Sequence, residues 1–368
     1  MKLLHTESSR GWGGQELRIL TESAGLISRG HQVTIACTPD SEIAREAARH
    51  QVPTLVLPLE KKRIKGLQAM RRLLVAQPFD VINTHSSTDS WLTALACASM
   101  RRAPPIVRTR HISTPIPRSL SNRWLYNRAF SRIVTTGEAM RRTLSVDNGF
   151  KIDRIVSVPT GIDVQRFAPG DQLAARAALG LAPQGPLAGI VATLRRAKGH
   201  HILLDAIAAL GEQAPELLII GDGPQRPNLE AQIQRLGLGQ RVRMVGNQTD
   251  VLPWLHALDL FVLPTLHEGI PQALAQAMSV GLCCITTPVG GIPEIATAGR
   301  SAVFVPPGKV DELAAALRLV GSDPLMRARY GAAARQDAIE RCSDRHMLDR
   351  MEGLFEQVIA ERAAGSSP

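Results

Sequence analysis

One alternation, run through twice, constrains this chain more than any other feature. Short apolar runs at residues 32–37, 53–57, 81–84, 105–109 and 133–136 read as buried parallel strands, with a short first strand at 2–5. Between them, residues 15–29, 66–76 and 91–100 carry apolar side chains at helical spacing. Such alternation implies right-handed βαβ units and a doubly wound sheet. The pattern closes at 159–163, passes through a polar segment at 171–186, and restarts. New strands are expected at 188–193, 217–221, 242–245, 260–263, 283–286 and 302–304, with helices at 201–210, 227–236, 272–279 and 310–320.

A length of 368 residues also exceeds the usual single domain. The expectation is an α/β chain of two Rossmann-like doubly wound domains, 1–165 and 166–344, facing one another across a central cleft. A last amphipathic stretch, within 345–368, follows the second sheet and is free to pack back on the first domain. The tail 365–368 is expected to fray. Ligands on such sheets bind at the carboxyl ends of strands. Two facing sets of strand-end loops suit a reaction with a donor and an acceptor.

Five cysteines without CxxC spacing fit buried thiols in a reducing compartment. The start, Met1-Lys2-Leu3-Leu4-His5, turns polar at once, and no run approaches the roughly 20 apolar residues that span a bilayer. A cytoplasmic protein is expected, with room for peripheral contact on the cytosolic face of the inner membrane. Charge is unevenly spread. Residues 1–150 hold 22 Lys and Arg against 11 Asp and Glu, whereas 151–368 hold 21 against 22. Blocks such as Lys61-Lys62-Arg63-Ile64-Lys65 would attract anionic lipid or a phosphorylated acceptor.

The densest motif runs Leu263-Pro264-Thr265-Leu266-His267-Glu268-Gly269-Ile270-Pro271-Gln272-Ala273-Leu274-Ala275-Gln276. A strand ends, a loop carries a carboxylate, and a helix opens near Gln272. The free N–H groups at that opening suit phosphate or sugar oxygens. Glu268 can accept hydrogen bonds from sugar hydroxyls, and Gln276 lies one turn past Gln272. A second loop, Thr193-Leu194-Arg195-Arg196-Ala197-Lys198-Gly199-His200, brings closely spaced cations suited to a diphosphate. Neutralising a departing nucleoside diphosphate is direct transition-state stabilisation. Adjacent His200 and His201 lack partners for a metal site. In the first half, Gly11-Trp12-Gly13-Gly14-Gln15-Glu16 opens the first helix without a GxGxxG fingerprint. His85 and His111 stand at strand ends, the latter beside Arg108, Arg110 and Arg118.

Together these motifs resemble the family 4 retaining glycosyltransferases of the GT-B fold. The likeness is strongest over 246–317, through Glu268-Gly269-Ile270-Pro271, Ala277-Met278 and Gly290-Gly291-Ile292-Pro293-Glu294. Residues 159–163 look like the family's "PNGID" segment and 13–16 like its "GGxE" loop. The resemblance implies that Glu268 is the first acid of an EX7E motif, contacting donor-sugar hydroxyls, with His111 as the cleft histidine. It implies donor binding by Gly14, Lys198 and Gly246, and by the backbone from Gly269 through Ile270, Pro271, Gln272 and Ala273 to Leu274.

Three positions depart from the pattern. Gln276 replaces the second acid, which predicts altered donor affinity rather than lost activity. Thr193 stands where the family has a phosphate-binding Arg, a role for Arg195 or Arg196 to take over. Thr160 replaces the Asn of "PNGID".

The implied reaction moves a hexose or heptose from a nucleotide-diphosphate sugar to a glycan or lipid-linked acceptor, in lipopolysaccharide or other envelope polysaccharide assembly. GDP-mannose, UDP-hexose and ADP- or GDP-heptose all remain compatible. No cofactor and no metal are expected. His85, Arg108 and Arg110 are assigned to the acceptor side. An NAD-dependent oxidoreductase is disfavoured because neither half has GxGxxG with a distal acid. A nucleic-acid partner has no motif behind it. A non-catalytic sugar-nucleotide or polyanion binder with a degenerate site remains the alternative.

Overall fold

The computed structural model describes residues 1–112 and 114–364. The tail 365–368, expected to fray, lies outside the described residues. The chain forms two units, Met1–Gly161 with Asp344–Pro368, and Ile162–Ser343. The boundary therefore falls four residues before the expected one, and the chain ends in the unit where it began.

In the first unit, β1 (Lys2–Glu7), β2 (Gln32–Cys37), β3 (Thr54–Val56), β4 (Val81–Thr84), β5 (Ile106–Arg110), β6 (Arg132–Thr135) and β7 (Ile155–Ser157) form one parallel sheet. Its order is β3-β2-β1-β4-β5-β6-β7. Neighbouring residues on each strand face opposite layers. Leu4, Ile82, Ile106 and Ile133 pack on one side, and Leu3, Val81, Val107 and Val134 on the other. That second side is covered by the last helix, Asp344–Ala364, through Met347, Leu348, Met351, Leu354, Phe355 and Val358. Such double-sided burial is what makes parallel strands read as continuous apolar runs.

One glycine position and a set of charges seat this last helix. A Cβ on Gly161 would lie 2.5 Å from the Asp344 Cα, so the turn into the helix requires glycine there. Arg29 pairs with Asp349 at 2.7 Å and with Glu352 at 2.6 Å, and Arg132 pairs with Glu361 at 2.5 Å. Thr160 also finds its role in this unit. Its hydroxyl accepts from Arg18 Nη1 at 3.3 Å, while the same nitrogen donates to the Val158 carbonyl at 2.8 Å.

The second unit repeats the scheme with β8 (Leu187–Val191), β9 (Glu216–Ile220), β10 (Val242–Gly246), β11 (Leu260–Leu263), β12 (Cys283–Thr286) and β13 (Val303–Phe304). Their order is β10-β9-β8-β11-β12-β13, again parallel. The polar segment after the first half contains a helix, Gln172–Ala178, which Asp171 caps by accepting from the Ala174 amide at 3.0 Å. Its Arg176 is buried, donating to the Ala257 carbonyl and to Asp259. Strand order reverses between β1 and β4 in one sheet and between β8 and β11 in the other. Doubly wound sheets bind ligands at those switch points.

Candidate functional site

The loop after β8 is fastened from two sides. Leu194 N donates to the Asp222 carbonyl at 3.0 Å, and the Leu194 carbonyl accepts from Gln225 N at 2.9 Å. Thr193, Arg195 and Arg196 consequently point outward and are exposed. One 3-10 turn, Arg196–Lys198, ends the loop at Gly199 with φ +76°. A Cβ there would lie 2.0 Å from the Pro264 carbonyl oxygen, so only glycine passes under the loop after β11. The two loops are stitched at Ala197, whose carbonyl accepts from Leu266 N at 2.7 Å and from Thr265 Oγ1 at 2.8 Å. This stitching brings the Lys198 ammonium against the Glu268 carboxylate, and the two form an ion pair.

A third strand-end loop, after β12, supports Glu268 from behind. Gly290 has φ +58°, and a Cβ on it would come within 1.8 Å of the Glu268 carbonyl oxygen. Gly291 N donates to the Gly269 carbonyl at 2.8 Å. From there Ile270 and Pro271 lead into the helix Gln272–Ser279, whose N-cap is Pro271 and receives no side-chain cap. The first turn of bonding begins only at Ala275 N, which donates to the Pro271 carbonyl. The amides of Gln272, Ala273 and Leu274 thus stand at the positive end of the helix dipole. Gln276 is half-buried one turn on. A cation, a carboxylate and a row of N–H donors lie together, the set that a diphosphate and sugar hydroxyls require.

Two residues of this unit stand apart from that cluster. Gly246 ends β10 at the edge of the sheet, and its carbonyl accepts from Gly221 N at 2.8 Å. His200 opens the helix His200–Leu210 with its ring buried and both ring nitrogens unpartnered. Burial, then His201 and Lys198, lower its pKa to about 4. Among the described residues no three His, Cys, Asp or Glu side chains are grouped to hold a metal.

In the first unit, Gly14 is exposed at the first position of the helix Gly14–Ser28. Beyond β4 and β5 lies a cavity of about 290 Å³, lined by His85, Trp91, Arg108, Arg110, His111 and Tyr126 among others. The cavity brings His85, Arg108, Arg110 and His111 together, and their polar atoms are held as follows. His85 lines the cavity with both its ring nitrogens engaged, by His5 at 2.7 Å and His111 at 2.9 Å. Arg110 is spent on shaping the cavity wall, donating to Tyr126 Oη at 3.0 Å and to the carbonyls of Ile112 and Thr114. Arg108 is partly spent, one nitrogen donating to the Thr84 and Thr109 carbonyls. Arg118 turns away from His111 and donates to the Asp147 carbonyl. His111 itself lines the cavity; burial, then Arg18 and Arg108, hold its pKa well below the ordinary histidine value.

Sequence reading missed the polar residues beneath this cavity. His5, Thr6 and Glu7 are fully buried on β1, which continues two residues past its expected end. Burial, then the charge of Asp89, raises the Glu7 pKa to about 7, against hydrogen bonds from Ser86, Ser9 and Gln15. The signal was present: three polar residues extend an apolar run at the carboxyl end of a central strand.

Comparison with known proteins agrees with this architecture. Residues 12–166 match the model described as Glycosyltransferase Family 4, and residues 185–323 match Glycosyl transferases group 1. The chain belongs to the family 4 glycosyltransferases and has the GT-B fold. It is 27% identical over 362 residues to the D-inositol 3-phosphate glycosyltransferase of Mycobacterium ulcerans, covering 87% of this chain and 75% of that protein. It is 34% identical over 147 residues to the lipopolysaccharide core biosynthesis mannosyltransferase LpsB of Rhizobium meliloti, covering 38% of this chain and 42% of that one. Among solved structures, Anabaena Alr3699/HepE in complex with UDP superposes with a TM-score of 0.85 at 22% identity, over 97% of this chain and all of that one.

Proposed function

We propose that this glycosyltransferase retains anomeric configuration and draws a hexose or heptose from a nucleotide-diphosphate sugar bound by the second unit. One observation carries the reading: Lys198, Glu268 and the uncapped start of the helix Gln272–Ser279 converge at the switch point of the second sheet. Lys198, aided by the exposed Arg195 and Arg196, neutralises the diphosphate as it departs. The free amides from Gln272 to Leu274 hold its oxygens, and Glu268 accepts from the sugar hydroxyls. This division of labour needs no metal and no cofactor. The complex of Anabaena Alr3699/HepE with UDP supports a nucleotide at this kind of site.

The acceptor belongs to the first unit, in the cavity bordered by His111. A glycan or lipid-linked acceptor of envelope polysaccharide assembly fits the surplus of cations there, and LpsB supports that assignment. A phosphorylated acceptor is the chemistry named for the Mycobacterium ulcerans relative. The helix Ile64–Ala76 leaves Ile64 exposed among Lys61, Lys62, Arg63 and Lys65, which suits peripheral contact with an anionic membrane from the cytoplasm. Sedimentation with anionic vesicles at low salt, fading as salt rises, is the expected behaviour; equal binding to neutral vesicles would remove it.

The testing experiment follows nucleoside diphosphate release from UDP-, GDP- and ADP-sugars, without metal, in the presence of phosphorylated and lipid-linked acceptors. Release that depends on one donor, and disappears in Glu268→Ala, supports the reading. Tight nucleotide-sugar binding with no release under any pairing would replace it with a non-catalytic binder.

A further inference from the structure

A continuous buried polar chain runs behind the cavity of the first unit. His111 Nε2 and His85 Nδ1 share a hydrogen bond of 2.9 Å, and His85 Nε2 and His5 Nδ1 share one of 2.7 Å. Beyond them, His5 Nε2 faces Glu22 Oε1 at 3.8 Å, and Glu22 Oε2 faces Arg18 Nε at 3.7 Å. Asn83 Nδ2 donates to Glu22 Oε1 at 3.3 Å. The chain is assembled by sheet register, since β1 and β4 place His5 beside Asn83. Its inner members, His5, Glu22, Arg18 and Asn83, are sealed from solvent.

Such a chain has a direction. A neutral imidazole carries one N–H and one lone pair. Burial, with the positive charges around them, keeps His5, His85 and His111 neutral. His85 uses both nitrogens, so it must donate through one and accept through the other. All three rings therefore point their protons the same way. A carboxylate only accepts, and Glu22 at the inner end offers one.

We propose that Glu22, His5 and His85 are positioning residues that fix the tautomer of His111. The Glu22 carboxylate draws the His5 proton to Nε2, His85 then donates from Nε2 to His5 Nδ1, and His111 donates from Nε2 to His85 Nδ1. The result is a bare lone pair on His111 Nδ1, its one ring nitrogen outside the chain. Resting on the acceptor reading of this cavity, that lone pair accepts the hydrogen bond of the acceptor hydroxyl and orients its oxygen for attack. Burial pushes the Glu22 pKa up, and the charge of Arg18 with the hydrogen bond from Asn83 opposes that shift toward the carboxylate. Packing alone does not account for the arrangement: His5 Nε2, Arg18 Nε and Glu22 Oε2 all lack a partner at ordinary hydrogen-bond distance. Orphaned polar atoms in a core cost stability, and apolar side chains would serve the fold better.

The test is a long-range 1H–15N correlation of the full chain labelled with 15N-histidine, with the His111 signals assigned through His111→Gln. The expected result is a protonated Nε2 and a bare Nδ1 on His111. In Arg18→Met/Glu22→Leu, both charges leave together, so neither remains buried alone. That variant should populate both His111 tautomers and lose about tenfold or more in kcat, with the KM for donor unchanged. A proton on Nδ1 in the wild type overturns the proposal whether or not the variant folds, and so does an unaltered tautomer in a folded variant. A bare Nδ1 without transferase turnover would count against the acceptor reading alone, leaving the direction of the chain established.

Discussion

Lys198 and Glu268 form an ion pair although 70 residues separate them in sequence. Their meeting depends on the stitching of two strand-end loops at the Ala197 carbonyl. In the proposed site, the pair sets the cation assigned to the diphosphate next to the acid assigned to its sugar. Lys198→Ala and Glu268→Ala should each lower kcat/KM about 100-fold, the scale of losing one charge-stabilising contact. The double variant should lose far less than the product of the two, because each residue orients the other. Steady-state kinetics on the four proteins checks this, and fully multiplicative losses would show that the pair does not act as a unit.

Gln276 follows Gln272 by one turn on the helix that opens the site. An amide hydrogen-bonds a diol but brings no charge to it. Gln276→Glu should therefore shift donor KM by less than about tenfold while kcat holds. Initial rates across donor concentrations decide the matter; a collapse of kcat would place Gln276 in the chemical step.

Gly199 passes beneath the Pro264 carbonyl with φ +76°. Gly199→Ala adds a Cβ where there is no room and strains the backbone by about 1–3 kcal/mol. Both the melting temperature and donor affinity should fall, since the loop carrying Lys198 must move away. Retained affinity in a destabilised protein would separate the glycine from the site.

The buried His5 has its pKa lowered to about 3 by burial, then by Arg18, against 6.5 unfolded. The unfolded chain therefore takes up a proton below pH 6.5 that the folded chain refuses until about pH 3. Wild-type stability loses on that account as pH falls through this window. In His5→Gln the loss should be smaller, by about 1.4 kcal/mol for each pH unit below 6.5. Urea titrations of both proteins between pH 7.5 and 4.5 read the difference, and parallel curves would contradict a neutral buried His5.

Much of the fold is legible in the sequence because its strands are buried on both faces. Leu260–Leu263, Cys283–Thr286 and the helix Gln272–Ser279 have the bounds their patterns predict. The helix Gln172–Ala178 shows no apolar face to periodicity because its Leu and Ala residues are mostly exposed and its one buried side chain is Arg176. The three-residue strand Ile155–Ser157 is too short for its run to register. Periodicity marks an apolar face on residues 345–363 but names no partner for it; Gly161 and Arg29 supply that choice. Local motifs mark Lys198 and Glu268. The partnership of His5, His85 and His111 is invisible at that level, because each is a lone histidine until the register of β1 against β4 brings them together.

The central claim is a nucleotide-sugar site at the switch point of the second sheet. Thermal stabilisation by UDP-, GDP-, ADP- and dTDP-linked sugars, without added metal, on wild type and Lys198→Ala tests it most directly. A raised melting temperature with sugars of one base, lost in Lys198→Ala, is the predicted result. An equal shift in both proteins would contradict the assignment of Lys198 to the diphosphate, and no shift with any sugar nucleotide would contradict the site itself.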